Sequence, residues 1–130
     1  MNALLRLSTL IIFLLYALPV AADIQVRSSL NKDSEPAIAY NSANDEHLVV
    51  WTESSSTSIS VMGQRTKGDG TGIIGAPFTI FTLGVYPAVA YNAQSNEYLV
   101  TASLSGNIIG RRVSNTGALV GTAVTKYSFD

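Results

Sequence analysis

The sequence has no cysteine and only one histidine among its 130 residues. Without cysteine the chain cannot form a disulfide, a thiolate nucleophile, an iron–sulfur cluster or a cysteine-ligated zinc site. The single histidine, His47, also excludes any metal site built from several histidines. We therefore expect the protein to use no metal and no cofactor.

Charged residues are scarce as well. They make up 13% of the chain, with 8 basic residues against 9 acidic ones and a formal net charge of −1. Nucleic-acid binding depends on a basic surface that displaces counterions from phosphates, so this balance excludes nucleic acid as a partner. The high apolar content, 47%, likewise excludes a charge-rich disordered chain. The length permits one folded domain at most.

Residues 1–22 have the pattern of a secretory signal peptide. Arg6 provides the positive charge, residues 10–18 form an apolar run, and Val20 and Ala22 are small residues at positions −3 and −1 of a cleavage site. The apolar stretch is shorter than the roughly 20 residues that a membrane-spanning helix needs. We predict cleavage after residue 22, export to the periplasm or the extracellular space, and no stable membrane anchor.

The rest of the sequence contains one pattern twice. The segment PAIAYN at residues 36–41 recurs as PAVAYN at residues 87–92, an offset of 51 residues. Residues 63–65 then recur as 110–112, at an offset of 47, so the second copy contains a loop that is four residues shorter. The predicted organisation is an N-terminal strand or linker at residues 23–35, a first repeat at 36–86 and a second repeat at 87–130.

Each repeat is predicted to form four short antiparallel strands. Valine, isoleucine, threonine and tyrosine fill the strands, while asparagine, aspartate, serine and glycine fill the gaps between them. The predicted strands are residues 37–40, 47–52, 59–66 and 77–81 in the first repeat, and residues 88–91, 98–102, 108–114 and 123–127 in the second. Residues 23–27 resemble a further strand of the fourth type. The pattern therefore predicts an all-β protein.

Four antiparallel strands in a unit of about 50 residues are typical of a β-propeller blade. Residues 48–51 are apolar on both faces of their strand, as expected for a sheet that is covered on both sides. The pattern PAIAYN, LVVW, GQR and DG resembles the blade repeats of secreted and surface-exposed bacterial propeller proteins. The resemblance implies the blade fold and no particular activity. The second repeat departs from it where Ala102 stands in the place of Trp51.

Two predicted blades make an incomplete propeller, because closed propellers use roughly four to eight. Two large apolar faces would stay open, and such surfaces mark interaction sites or aggregation liabilities. Three interpretations follow. The chain could assemble into a homo-oligomeric ring, for example three copies with six blades; it could be a truncated or degenerate remnant of a larger secreted propeller, including a former enzyme; or its sheets could pack together as a small β-sandwich.

Two Glu–Arg pairs recur in the repeats: Glu46 with Arg65, and Glu97 with Arg112. We predict that each glutamate lies directly opposite its arginine across a hairpin, which centres the first turn on residues 55 and 56. Such a cross-strand pair contributes about 0.2–1 kcal/mol. Because both repeats carry the pair, its predicted role is structural.

The sequence predicts no catalytic residue. A nucleophilic triad needs a histidine beside a serine and an acid, yet His47 lies in a predicted strand where the second repeat has Tyr98. For ligand binding, Trp51 and Tyr98 could stack on sugar rings and Arg111 could hold a polar group; the alternative is that the aromatic rings belong to the core of the blades. We predict an exported, non-enzymatic binding or structural module, lectin-like after self-assembly, with a carbohydrate or a protein as its ligand.

Overall fold

The computed structural model of the chain describes residues 23–126, which form two four-stranded antiparallel sheets. The N-terminal sheet contains β1 (Lys32–Asn41), β2 (Glu46–Ser54), β3 (Ile59–Lys67) and β4 (Ile73–Phe81). The C-terminal sheet contains β5 (Val85–Asn92), β6 (Glu97–Leu104), β7 (Asn107–Ser114) and β8 (Leu119–Lys126). Both sheets keep the strands in chain order, and the prediction of an all-β fold is confirmed.

An asparagine side chain ends the first strand of each sheet. Asn41 Oδ1 accepts the backbone N–H groups of Ala43 at 2.9 Å and Asn44 at 3.1 Å. Asn92 Oδ1 accepts the N–H of Gln94 at 3.0 Å in the same way. Such a turn satisfies backbone donors that leave the strand ladder, so the chain reverses at both positions.

The middle hairpins of the two sheets differ in length, as the shorter second loop predicts. The β2–β3 turn uses residues 55–58, where Ser55 Oγ accepts the N–H of Ser58 at 3.0 Å. The β6–β7 turn uses only Ser105 and Gly106, whose φ angles of 50° and 82° fit a tight hairpin turn. From its glutamate to its arginine, the second hairpin is four residues shorter than the first. The turn is shorter by two residues, and the strands before and after the turn are each shorter by one.

The strands extend beyond their predicted ends. β1 begins at Lys32, inside the predicted linker, because a bulge between Ser34 and Ala37 lets the strand continue past Pro36. β4 begins at residue 73 instead of 77. β5 begins at Val85, before the predicted start of the second repeat. The sequence pattern located each of these strands but underestimated the length of those interrupted by bulges.

The predicted strand at residues 23–27 is wrong. No strand precedes Lys32 in the described part of the chain. A strand of the fourth type needs the free edge of a third strand, and the edges of β3 and β7 are already paired with β4 and β8. Arg27 instead forms an ion pair with Glu53 of β2, with Nη2 and Oε2 at 2.7 Å.

The predicted signal peptide, residues 1–22, lies outside the described residues. Within residues 23–126, no helix is long and apolar enough to cross a membrane.

Side chains of each sheet alternate between two faces, which we name by sequence correspondence between the sheets. The front face of the N-terminal sheet carries Ala37, Ala39, Leu48, Val50 and Val61, and its back face carries Ile38, Tyr40, His47, Val49 and Trp51. At the corresponding positions of the C-terminal sheet, the front face carries Ala88, Ala90, Leu99 and Thr101, and the back face carries Val89, Tyr91, Tyr98, Val100 and Ala102.

The core forms where the front of the N-terminal sheet packs on the back of the C-terminal sheet. Leu48 and Val50 come from the first face and Tyr98 and Val100 from the second, and all four belong to one buried cluster. Burial of each such side chain stabilises the fold by about 1.5–3 kcal/mol. The contact therefore joins two different faces, and the other two faces of the pair point outward.

Candidate functional site

The contact between the sheets is anchored by asparagines at one end of the strands. Asn41 is fully buried, and its Nδ2 donates to Asn96 Oδ1 at 3.0 Å. Asn96 Nδ2 donates to Asn44 Oδ1 at 3.0 Å, and the Tyr91 hydroxyl donates to Asn96 Oδ1 at 3.0 Å. This network links the β1–β2 turn to the β5–β6 turn and gives the buried Asn41 amide a partner in the next sheet.

Arg65 provides a second anchor. Its Nε donates to Glu46 Oε2 at 2.9 Å and its Nη2 donates to Glu46 Oε1 at 2.9 Å, which makes a bidentate pair. Its Nη1 donates to the backbone carbonyl of Thr116, in the β7–β8 turn, at 3.2 Å. One side chain thus crosslinks its own sheet and reaches the next one.

The second Glu–Arg pair lies on the outward front face of the C-terminal sheet. Arg112 Nη1 lies 3.3 Å from Glu97 Oε2, and the arginine side chain is 59% exposed. Arg65 is 16% exposed in the corresponding pair. Arg112 has no neighbouring sheet to hold its guanidinium.

Both pairs form, but the predicted register was wrong by two residues. Glu46 lies directly opposite Lys67, and Arg65 lies opposite Leu48. The hairpin turn is centred one residue later than predicted, so glutamate and arginine meet diagonally on the same face. Long side chains bridge this diagonal distance.

Glu35 is an anchor that the sequence reasoning missed. Its Oε2 accepts the Thr52 hydroxyl at 2.7 Å and the backbone N–H of Tyr86 at 2.9 Å. Glu35 and Tyr86 both have positive φ angles, 56° and 54°. Each precedes a proline, and they lie 51 residues apart. Because a following proline disfavours the ordinary helical conformation, this shared position could have indicated an unusual backbone.

The three predicted ligand-binding residues do not form one site. Trp51 is 4% exposed on the back of the N-terminal sheet, and Tyr98 is 1% exposed in the core. Arg111 is half-buried, with Nη2 3.4 Å from the carbonyl oxygen of Gly121. Burial raises the pKa of the Tyr98 phenol above its ordinary value. Neither aromatic ring presents an open face for stacking on a sugar.

A small cleft of about 190 Å³ lies beside Trp51. Its lining consists of Val26, Arg27, Asp33, Ser34, Pro36, Val49 and Trp51. Ligand pockets usually measure about 300–1,000 Å³, so this cleft is small for a ligand site. In the described range 23–126, no group of three or more histidine, aspartate and glutamate side chains could hold a metal ion.

The two outward faces carry exposed apolar side chains. On the back of the N-terminal sheet, Ile38 is 59% exposed and Tyr40 is 49% exposed. On the front of the C-terminal sheet, Leu99 is 46% exposed, whereas Leu48 at the corresponding position is fully buried. Both outward faces therefore expose apolar side chains, while the region of Trp51 and Met62 on the back of the N-terminal sheet is buried.

A scan against protein-family models and searches of curated proteins and of solved structures found no match to this chain.

Proposed function

We propose that the chain is an exported, non-enzymatic module of two propeller-type blades that binds through its sheet faces. The observation that supports this proposal is the contact of the front of one sheet with the back of the next. When the front of each sheet packs on the back of the next, a stack of any length keeps one open back face at its first sheet and one open front face at its last. Only closure into a ring covers both of these faces. A sandwich that joined corresponding faces would leave no such complementary pair.

Matching irregularities in the two sheets support the interpretation of each sheet as one blade. A bulge occurs at residues 34–37 and again at 85–88, 51 residues later. A second irregularity occurs at residues 63–65 and again at 110–112, 47 residues later. Bulges aim side chains and set the twist of a sheet, so two sheets with the same bulges can stack repeatedly in the same way.

The polar side chains between the sheets hold the fold together, which supports a binding role for the chain over a catalytic one. Glu35, Asn41 and Arg65 all bridge the two sheets. The predicted carbohydrate or protein ligand would then meet the assembled module, since Trp51 and Tyr98 are buried. A glycan array probed with the assembled protein tests the lectin-like form of the proposal.

A tandem chain tests the stacking directly. Two or three copies of residues 23–130 are joined in one polypeptide, and its melting temperature and small-angle scattering are compared with those of one copy. Continued stacking predicts a compact monomeric ring that unfolds cooperatively at a higher temperature. Independent units that melt like the single copy would contradict the proposal.

The same tandem chain with Leu99→Asp in every copy is the matched control. Its charge lies on the outward front face, so it should return the melting temperature to that of the single copy. Export is tested separately by N-terminal sequencing of the secreted protein, which should begin at Asp23.

A further inference from the structure

We infer that the open front face of the C-terminal sheet binds the exposed part of the back face of the N-terminal sheet, around Ile38 and Tyr40, in a second copy of this chain. The inference rests on the proposed function, because it takes the contact between the two sheets of one copy as the template for the contact between copies. Two anchors of the internal contact, Asn41 and Arg65, have counterparts on the outward faces, whereas Tyr86 stands at the position that corresponds to the third anchor, Glu35.

The first counterpart is an asparagine bridge. Asn92 corresponds to the buried Asn41, and its Oδ1 is oriented by the same turn, through Gln94. Asp45 corresponds to Asn96, and Asp45 Oδ1 accepts the Tyr40 hydroxyl at 2.9 Å, as Asn96 accepts that of Tyr91. Asn92 of one copy would therefore donate to Asp45 of the next.

The change from asparagine to aspartate at this position strengthens the intermolecular bridge. Asp45 presents a carboxylate where Asn96 presents an amide. A hydrogen bond from an amide N–H to a carboxylate is shorter and stronger than one between two neutral groups. The contact between copies would thus keep a side-chain oxygen as the acceptor, as in the contact within one copy, and that oxygen would carry a negative charge.

The second counterpart is the arginine contact. Arg112 corresponds to Arg65, and the Asp69 carbonyl corresponds to the Thr116 carbonyl that Arg65 reaches at 3.2 Å. Arg112 is 59% exposed and therefore available. It carries a positive charge, while Asp69 and the nearby turn residue Asp45 carry negative ones, so Arg112 of one copy would be attracted to this turn of the next.

Space for this contact is present at Gly70. At the corresponding turn, a Cβ on Gly117 would lie 3.2 Å from Phe78 and 3.4 Å from Arg65, so the internal contact fills that space. A Cβ on Gly70 would meet nothing within 4 Å. Val124 lies opposite Gly110, just as Phe78 lies opposite Gly63, so Val124 corresponds to Phe78. Val124 is 65% exposed, and in a second copy it would fill the space at Gly70.

The apolar parts of the faces correspond as well. Val89 and Tyr91 pack on the core from the back of the C-terminal sheet. Ile38 and Tyr40 hold the corresponding places on the back of the N-terminal sheet and are exposed. Leu99 of a second copy would cover them as Leu48 contributes to the internal core.

The assembly would close into a ring. A contact between two different faces is head-to-tail, so it generates either a ring or an open filament. Closed propellers contain roughly four to eight blades, which corresponds to about two to four copies of this chain.

Sedimentation of the mature chain tests the inference. We expect a discrete species of about two to four copies, and we expect Asn92→Asp to raise the dissociation constant by about tenfold or more, because it places two carboxylates together. The new carboxylate can still accept the Gln94 N–H, so the fold is kept. Ser56→Asp, which adds the same charge on an exposed turn, should leave the mass unchanged.

The double variant Asn92→Asp with Asp45→Asn should restore assembly, since it removes one of the two carboxylates and reproduces the amide of Asn96. A wild-type chain that stays monomeric, or an oligomer that Asn92→Asp does not weaken, would overturn the inference. If the wild-type chain is monomeric while the tandem chain still closes into a ring, the proposed stacking of blades is supported, and the inference that a second copy covers the open faces is wrong.

Discussion

Leu48 and Leu99 occupy corresponding positions on the front faces of the two sheets and differ completely in their surroundings. Leu48 is fully buried, whereas Leu99 is 46% exposed. The Glu–Arg pairs beside them differ in the same way, with contacts of 2.7 Å and 3.3 Å. The residue types are shared, so the difference comes from the sheet that covers the first face and is missing from the second.

The largest expected effect comes from the two leucines. Leu48→Ala should lower the free energy of unfolding by about 2–5 kcal/mol, because it opens a cavity in the core. Leu99→Ala should cost less than about 1 kcal/mol in the dissociated chain, since the side chain is largely in water. Urea denaturation at low protein concentration measures both, and equal losses would contradict the assignment of the core.

The two glutamates give the next largest difference. Glu46→Gln removes the bidentate partner of a mostly buried arginine and should cost about 1–3 kcal/mol. Glu97→Gln breaks a pair whose arginine is mostly exposed and should cost at most about 1 kcal/mol. The same denaturation experiment compares them, and a larger loss from Glu97→Gln would reverse the expected order.

The two turn glycines sharpen the comparison further. Gly70 and Gly117 both have positive φ angles, 71° and 88°, so an alanine is strained at either position. Only Gly117→Ala also meets Phe78, so it should be less stable than Gly70→Ala by about 1 kcal/mol in the dissociated chain. Thermal melts of the two variants measure this difference in stability. Equal melting temperatures would contradict the contact between Gly117 and Phe78.

The smallest expected effect concerns Tyr98 at alkaline pH. Burial raises the pKa of its phenol above the ordinary value of 10.0, so the folded state favours the neutral form. This contribution to stability is complete below pH 10 and is lost as pH rises above it, because the unfolded chain ionises first. Tyr98→Phe should flatten the alkaline fall in melting temperature, with the exposed Tyr86→Phe as the control. An unchanged slope would contradict the buried position of Tyr98.

The strands could be predicted from the sequence because their residues and turns are local signals. Each of the eight strands of the described residues overlaps a strand predicted from residue types and turn residues, while Pro36 concealed the start of β1, since a bulge carries the strand past it. The register of β2 and β3 was off by two residues, because cross-strand ion pairs form diagonally as well as directly.

The packing of the sheets could not be predicted, because it depends on contacts between distant residues. Asn41 and Asn92 end nearly identical segments, PAIAYN and PAVAYN, and these segments do not indicate that only Asn41 is buried. The bridge from Asn41 to Asn96 exists only once the two sheets are stacked. For the same reason the sequence left two roles open for Trp51 and Tyr98, ligand contact or blade core, and both side chains are buried.

The stacking of front on back is tested most directly by nuclear Overhauser effects in the Asn92→Asp chain, at a protein concentration where sedimentation shows a monomer. A Cβ built on Gly117 would lie 3.2 Å from Phe78, so the Gly117 α-protons should show strong effects with that ring. The Asn41 side-chain amide should show effects with Asn96. Effects between Leu48 and Leu99 instead, with none from Gly117 to Phe78, would show front faces packed together and would contradict the account.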